Sequence, residues 1–343
     1  MGFLKFGLAR REGDRRSSYL FLRKELLVRF AHSLKELELL PEALLRMPSV
    51  RIVQEWYQQS FHEILFHENA EITNKNLDDF TSLLKMVLKW NHNVVQTMAE
   101  GIIELKETHG VNVVVENSIQ YFLDRFHINR ISMRMIINQH VLIFGSELPL
   151  SPQFIGSIDP ACDVMTVVQD AYRNAKMLCE RYYKTAPDLF VRTKNAVDKM
   201  DRITVVYVPS HLYHICFELF KNSMRATIEH AKNVQNEPKL PDIKVTIVKG
   251  KEDLSIKIGD KGGGVPRSIV EVLFNYMYTT APPPNKDNSS APLSLNELKI
   301  EQIVTGQSAA TGKRKYRDCA ERISRIVTDY SNQWLQDDHE RLI

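Results

Sequence analysis

The sequence predicts an α+β protein in which an N-terminal helix bundle is followed by a domain of mixed helices and strands. From about Tyr19 to Leu148, apolar residues recur every three or four positions, as they do in amphipathic helices. Further along, β-branched and alternating segments appear between helical ones, a pattern typical of α+β layers. We therefore expect a bundle over residues 1–150 and a second domain after it.

The bundle is predicted to contain four long helices. Breaks in the helical pattern occur at the sequences MPSV, HENAEITNKN and THGVNV. They separate segments of roughly 15–30 residues, and one of these, LDDFTSLLKMVLKWNHNVVQTMAEGIIEL, is predicted as a single helix. Four long helices with short connections pack most economically as a four-helix bundle.

The second domain is predicted to span residues 151–292. It begins with a helix, VMTVVQDAYRNAKMLCERYY, and continues with a strand in RITVVYVPS and a helix around HICFELFKNSMR. The segment IKVTIVKGKEDLSIKIGD then predicts two strands joined by a turn at residues 250–253. From Pro282 the chain is rich in turn residues, and residues 293–343 form a divergent tail that contains an amphipathic helix.

Composition excludes several classes of protein. The chain is 43% hydrophobic and 25% charged, and no apolar run approaches the ~18–20 residues that a membrane span needs. A net charge of +3, with acidic and basic residues interspersed, gives no indication of nucleic-acid binding. The four cysteines are far apart, so neither a zinc site nor a disulfide framework is expected.

The helix HICFELFKNSMR carries a narrow polar stripe. At ~100° per residue, its polar residues fall within a sector of ~80°, while apolar residues cover most of the remainder. Such a stripe on an otherwise buried helix either faces a pocket or is satisfied inside the core, and both interpretations remain open. The stripe consists of His214, Glu218, Asn222 and Arg225.

A second candidate site follows the last predicted strand. Asp260 ends that strand, and Lys261 is followed by three glycines, Gly262, Gly263 and Gly264. Glycines let the backbone approach a ligand closely, and an aspartate can accept a hydrogen bond from an exocyclic amine such as that of adenine. A glycine triplet alone more often marks a turn, but its spacing of ~35 residues from the polar helix favours a shared site.

These two motifs carry a resemblance to a known superfamily. ELFKNSMRA resembles the N-box, and DKGGGVP the first glycine box, of the GHKL ATPases and kinases, whose ATP-binding domain is a Bergerat-type α/β sandwich. The segments HLYHICFELFKNSMRATIE, FNYMYTTAP, RISMRMIINQHVLIFG and IGSIDPACDV resemble, more narrowly, the mitochondrial pyruvate dehydrogenase kinases. This likeness covers roughly residues 18–293. A branched-chain 2-oxoacid dehydrogenase kinase is the alternative that these segments leave open.

The resemblance implies a role for each matching residue. Glu218 is implied to be the general base that removes a proton from a substrate serine, with His214 tuning it, and Asn222 to provide an oxygen to Mg²⁺ on the ATP phosphates. Nucleotide binding is implied for Glu218, Lys221, Asn222, Arg225, Asp260, Gly262, Gly263, Gly264, Thr279 and Thr280.

Two features of the bundle match family positions as well. The segment Met133–His140 matches one that contributes to a regulatory pocket, and His140 either has that role or makes a hydrogen bond in the core. Phe21 matches a wall of the family's lipoyl-binding pocket, although simple packing would explain it equally well.

The resemblance therefore implies an ATP- and Mg²⁺-dependent protein serine kinase. Its substrate would be the decarboxylase component of the pyruvate dehydrogenase complex, which phosphorylation inhibits, and its location the mitochondrial matrix. It would bind the lipoyl domain of the dihydrolipoyl acyltransferase core and form a homodimer.

The chain departs from the family pattern after APL, near Leu293. The family continues there into a second glycine box, G-F-G-x-G-L, but this sequence reads SLNELKIEQIVTGQSAATGKRKY. The family's transit peptide and apolar lipoyl-contacting segment would precede FGLARREG. We therefore expect an ATP-binding domain altered at its C-terminal end. A second hypothesis is a non-catalytic family variant that acts by binding partners.

Overall fold

The computed structural model describes residues 12–109, 113–145, 154–197, 202–233, 239–276 and 278. Within this part of the chain, contacts define two compact units. The first contains residues 12–157 with 275 and 276, and the second contains residues 158–274 with 278. The first unit is helical and the second combines helices with sheets, so the predicted α+β class is confirmed. The predicted tail, residues 293–343, lies outside the described residues.

The first unit is a helix bundle with an aromatic-rich core. Two helix starts follow local rules: Pro48 occupies the first turn of one helix, and the Thr73 hydroxyl caps another by accepting a hydrogen bond from the Asn76 amide. Tyr19, Phe30, Tyr57, Phe80 and Phe126 are among the largest fully buried side chains. The helices are α1 (Glu12–Glu38), α2 (Glu42–Leu45), α3 (Pro48–Leu65), α4 (Asn74–Trp90), α5 (Val94–His109) and α6 (Val113–Phe144).

The described part of the bundle has five long helices, not the four that were predicted. The segment expected to be one helix is divided into α4 and α5 at residues 91–93. Asn91 is the C-cap of α4, and its side-chain amide donates to the carbonyl of Val87 and to the hydroxyl of Ser60 on α3. The Asn91 backbone N–H also donates to the carbonyl of Val87, so Asn91 closes the last turn of α4, and its side chain ties that end of the helix to α3.

Helices α3 and α5 approach each other closely at their contact. The N-cap of α3, Met47, offers no side-chain acceptor, and Glu104 of α5 supplies one instead. Its carboxylate accepts from the Ser49 amide at 3.3 Å and from the Ser49 hydroxyl at 2.6 Å. One turn away, a Cβ on Gly101 would lie 2.5 Å from Cγ2 of Val50. Glycine therefore lets the two helices approach this closely without displacing Val50.

His140 joins three helices inside the bundle. Its Nδ1 lies 2.8 Å from the Ser18 hydroxyl of α1, and its Nε2 lies 3.2 Å from the Thr81 hydroxyl of α4. Thr81 donates its own proton to the carbonyl of Leu77, so it must accept from Nε2–H of the histidine. Nδ1 then accepts from Ser18, and burial, aided by Arg15, lowers the pKa of His140 to about 3. The structure thus favours the core hydrogen-bonding role for this residue.

The second unit contains a three-stranded sheet and a two-stranded sheet. Strand order in the larger sheet is β2-β4-β5, with β2 parallel and β5 antiparallel to β4, and β1 pairs antiparallel with β3. The predicted β4–β5 hairpin is present, and so is the strand predicted in RITVVYVPS, which is β3. Sequence reasoning missed β1 and β2. The elements are β1 (Asp159–Asp163), α7 (Val164–Tyr183), β2 (Leu189–Asn195), β3 (Thr204–Tyr207), α8 (Pro209–Asn233), β4 (Ile243–Lys249) and β5 (Leu254–Gly259).

Helices α7 and α8 cover one face of the larger sheet. Asp163 caps α7 by accepting hydrogen bonds from the amides of Met165 and Thr166. Alternate residues of β4 are buried in the same apolar cluster as residues from both helices. The buried members include Val168, Ala171, Ala175, Cys216, Phe220, Met224, Ile243, Val245 and Ile247. Among the helices that the structure describes, none is long and apolar enough to cross a membrane.

The Gly101 contact leads to a stability prediction. We expect Gly101→Ala to lower the free energy of unfolding by about 1–3 kcal/mol, because the new methyl group must displace Val50. This would occur even though alanine is the better helix former. Urea unfolding followed by tryptophan fluorescence measures the change. The control is Glu100→Ala on the exposed side of α5, and equal effects of the two variants would contradict the prediction.

Burial of His140 predicts a pH dependence of stability. The histidine has an ordinary pKa of 6.5 when exposed and a pKa of about 3 in the fold, so between these values only the unfolded chain binds the extra proton. Stability from this group is therefore complete above pH 6.5 and falls as the pH decreases toward 3, by up to about 1.4 kcal/mol per pH unit.

We expect His140→Gln to reduce that slope by about one proton between pH 4.5 and 6. The measurement is the free energy of unfolding in urea at several pH values. His32→Gln, at an exposed position of α1, is the matched control. An unchanged slope in His140→Gln would show that the buried imidazole is not the titrating group.

Candidate active site on helix α8

Helix α8 begins with Pro209, which suits a first helical position because its fixed φ matches the helix and its missing N–H is not needed there. The polar stripe runs from a buried end to an exposed one. His214, Glu218 and Lys221 are 5%, 7% and 7% exposed, whereas Asn222 is exposed and Arg225 is half-buried. Within the stripe, the carboxylate of Glu218 is therefore buried, whereas the amide of Asn222 is accessible.

Glu218 forms a buried ion pair with Lys221. The lysine Nζ lies 2.9 Å from Oε1 and 3.2 Å from Oε2 of the carboxylate. It also lies 5.3 Å from the centre of the Phe217 ring, on its face. Three residues of spacing place the two side chains on the same side of the helix. Sequence reasoning assigned Lys221 to the nucleotide and missed this pairing.

His214 lies one helical turn before Glu218. Burial lowers the pKa of the His214 imidazole, and the negative charge of Glu218 opposes that shift only in part. Its Nε2 is buried without a hydrogen-bond partner among the described residues. The imidazole is therefore neutral near pH 7.

Arg225 pairs with a carboxylate further along the helix. Its Nε donates to Glu229 at 2.8 Å, and the Tyr183 hydroxyl from α7 donates to the same carboxylate oxygen at 3.3 Å. Burial, together with Glu229, raises the pKa of Tyr183 to about 12, so this phenol stays protonated. In this arrangement Arg225 extends the polar stripe toward α7.

The loop that contains Gly262, Gly263 and Gly264, here called the glycine loop, packs directly on α8. Asp260 follows β5, and its Oδ1 accepts a hydrogen bond from the Gly262 amide at 3.0 Å. A Cβ on Gly262 would lie 2.5 Å from Cβ of Ala226, one turn after Asn222. Gly263 and Gly264 have φ angles of +79° and +73°, which favour glycine. The structure thus brings the two predicted motifs together.

Two further predicted positions, Thr279 and Thr280, lie outside the described residues. Sequence reasoning also missed two buried hydroxyls on α8. Thr227 donates to the Ser223 carbonyl, whereas the Ser223 hydroxyl is buried without a partner in the described ranges. At ~100° per residue both hydroxyls lie on the side of α8 opposite the polar stripe, so the stripe gave no signal of them.

The donor set suits a cation that is shared with phosphates. Within the described ranges, no group of three or more histidine, cysteine, aspartate or glutamate side chains could hold a metal ion alone. Asn222 presents an exposed amide that has no hydrogen-bond partner among those residues. Mg²⁺ commonly takes one or two protein ligands and completes its shell with waters and substrate phosphates, so this oxygen fits that mode.

The bundle contains a small cavity of about 30 Å³ next to the segment Met133–His140. Met133 and Ile137 line it together with two arginines, Arg130 and Arg134. Burial lowers the pKa of Arg134 to about 10. Phe21, the position matched to a lipoyl pocket, is half-buried and packs against the bundle core.

The contact between the glycine loop and α8 predicts the effect of a small substitution. We expect Gly262→Ala to separate the loop from Ala226 and to lower local stability by about 1–3 kcal/mol. Hydrogen exchange should become faster in peptides that cover residues 226–233 and 259–264. Gly259→Ala is the control, because its Cβ would meet only the Lys244 carbonyl oxygen at 3.8 Å. Equal exchange in both variants would contradict the prediction.

Comparisons with sequence families match both units. A family described as mitochondrial branched-chain alpha-ketoacid dehydrogenase kinase matches residues 2–159. A second family, described as histidine kinase-, DNA gyrase B- and HSP90-like ATPase, matches residues 207–298. The second match includes α8 and the glycine loop, so the ATP-binding superfamily inferred from these motifs is confirmed.

Individual relatives give a closer assignment. Over 292 residues the chain is 54% identical to a Caenorhabditis elegans protein named probable pyruvate dehydrogenase (acetyl-transferring) kinase, mitochondrial, which covers 85% of this chain and 71% of that protein. An Ascaris suum kinase of the same designation is also 54% identical, over 85% of this chain and 72% of its own length. Human isozyme 3 is 52% identical over 295 residues, covering 85% and 72%. The chain therefore belongs to the mitochondrial pyruvate dehydrogenase kinase family.

Proposed function

We propose that the protein is an ATP-dependent protein serine kinase that phosphorylates, and thereby inhibits, the decarboxylase component of the pyruvate dehydrogenase complex. The names of its relatives support this substrate. The observation that carries the proposal is the buried carboxylate of Glu218, on a helix that also presents the exposed Asn222 amide and that the glycine loop contacts at Ala226. Phosphoryl transfer needs these parts: a base, a ligand for the cation and a close backbone surface.

Glu218 acts as the general base in this proposal. Its carboxylate accepts the proton of the serine hydroxyl as that oxygen bonds to the γ-phosphorus of ATP, whose bond to the bridging oxygen breaks and releases ADP. His214, held neutral by burial, lies one turn away and adds no competing positive charge at neutral pH. A neutral imidazole so placed can orient the carboxylate without neutralising it.

Nucleotide recognition involves the glycine loop and the adjoining helix. One oxygen of Asp260 holds the Gly262 amide, and the carboxylate also accepts the adenine amine. Gly263 and Gly264 keep side chains away from the bound nucleotide. Asn222 contributes an oxygen to Mg²⁺, which offsets the charge of the phosphates. Lys221, Arg225, Thr279 and Thr280 complete the proposed site.

The remaining partners are proposed from family membership. We place the protein in the mitochondrial matrix, as an enzyme that binds the lipoyl domain of the acyltransferase core through its bundle and forms a homodimer through its second unit. Phe21, half-buried on α1, is the proposed contact for the lipoyl domain. The relatives are named as mitochondrial proteins, which agrees with this location.

The test of nucleotide binding is calorimetry with Mg²⁺-ATP. We expect the parent chain to bind, and Asn222→Ala and Asp260→Asn to lose affinity by at least about tenfold. Asp260→Asn is informative because its amide oxygen can still accept from Gly262, while its NH₂ group cannot accept from adenine. Glu252→Ala, at an exposed position of the β4–β5 turn, is the control.

The test of catalysis is phosphate transfer from radiolabelled ATP to the purified decarboxylase component. We expect Glu218→Gln to bind nucleotide and to lose turnover by about 10²–10⁴-fold. If the parent chain binds ATP but transfers no phosphate, the kinase proposal is wrong. The chain would then be a family variant that acts by binding partners.

A further inference from the structure

The ion pair between Glu218 and Lys221 is unusual because one of its partners is the proposed base. The ammonium lies within hydrogen-bonding distance of both carboxylate oxygens, at 2.9 and 3.2 Å. The side chains are only 7% exposed for Lys221 and 10% exposed for Glu218. Water therefore screens this attraction much less than it would at the surface.

Such a pair opposes the chemistry that Glu218 must perform. A positive charge next to a carboxylate favours its charged form, and general-base catalysis requires the carboxylate to take up a proton. As long as Lys221 holds both oxygens, proton transfer from a serine hydroxyl has to overcome that attraction. In this arrangement the ion pair with Lys221 opposes proton transfer to Glu218.

The surroundings of Lys221 provide a route to release. The next residue, Asn222, is exposed and marks the side of the helix where the phosphates would lie. A lysine ammonium sits at the end of a flexible four-carbon stem with three rotatable donors, so a modest side-chain movement can change its partner. A triphosphate carries several negative charges against the single charge of Glu218, and it therefore competes strongly for the same ammonium.

We propose that Lys221 is a latch that a nucleotide triphosphate opens. Without nucleotide, Lys221 holds the Glu218 carboxylate; when the triphosphate binds, Lys221 turns to the phosphates and leaves the carboxylate able to accept the serine proton. Lys221 is then a positioning residue that makes base catalysis dependent on bound ATP. This inference rests on the proposed function, because it assumes that the phosphates lie beside Asn222.

The latch can be tested by measuring how the charge of Glu218 affects triphosphate binding. If Glu218 and the phosphates compete for Lys221, then removing the charge of Glu218 must strengthen triphosphate binding. We expect Glu218→Gln to bind the non-hydrolysable analogue AMP-PNP with Mg²⁺ about tenfold more tightly than the parent chain, as measured by calorimetry. Adenosine, which has no phosphates, should bind both proteins equally.

A double-mutant cycle assigns the effect to Lys221. We expect Lys221→Gln to weaken AMP-PNP binding, and Glu218→Gln to give no further gain in the double variant, because the contested ammonium is absent. An equal gain from Glu218→Gln with and without Lys221 would refute the latch. Circular dichroism checks the fold of each protein. The Glu218→Gln comparison can refute the latch by itself, so the conclusion does not depend on the lysine variants folding.

Glu252→Gln is the matched control for charge. Glu252 is an exposed carboxylate in the β4–β5 turn, so the loss of its charge should change AMP-PNP affinity by less than about twofold. A gain as large as that of Glu218→Gln would mean that any lost negative charge strengthens binding, and the latch would be wrong.

The outcomes also separate this inference from the proposed function. If the parent chain phosphorylates the decarboxylase component but Glu218→Gln binds AMP-PNP no more tightly than the parent, the latch is wrong and the kinase proposal stands. If the parent chain binds neither AMP-PNP nor adenosine, both are wrong.

Discussion

The burial of helix α8 constrains the whole second unit. Its apolar side packs against α7 and against the central strand β4, and Phe220 makes an edge-to-face contact with Tyr172 at 5.6 Å. Burial also raises the pKa of the Cys216 thiol to about 12, so this cysteine remains a neutral packing residue. Each polar group that α8 carries into this environment must be paired or remain uncharged. The ion pair of Glu218 and the neutral imidazole of His214 are two consequences of that constraint.

The position of the glycine loop depends on the same packing. Strand β5 pairs antiparallel with β4, and β4 is covered by α8, so the chain leaves β5 at Asp260 next to the helix. The loop can lie on Ala226 only because Gly262 has no side chain. A small residue on the helix and a glycine in the loop together determine the distance between the two halves of the proposed nucleotide site.

In the bundle, a few polar residues determine details that apolar packing leaves open. Asn91 ends α4, Glu104 supplies the cap that α3 lacks, and His140 joins α1, α4 and α6 through two hydroxyls. Each of these side chains bonds to a residue that is distant in sequence but adjacent in the fold. An apolar core of the same volume would allow the helices more freedom to slide, because dispersion contacts are not directional.

By itself, the sequence determined the helical character of the first unit, the β4–β5 hairpin, the polar stripe on α8 and the glycine loop after Asp260. These features depend on periodicity and on residues with local conformational preferences, which a single segment carries. Only the tertiary structure decided the division at Asn91, the strands β1 and β2, and the pairing of Lys221 with Glu218. The first two depend on pairing between residues far apart in sequence, such as Phe190 and Lys244, which are parallel partners in β2 and β4. The ion pair joins near neighbours, yet it is strong only because the surrounding fold excludes water, and that burial is a property of the packed chain.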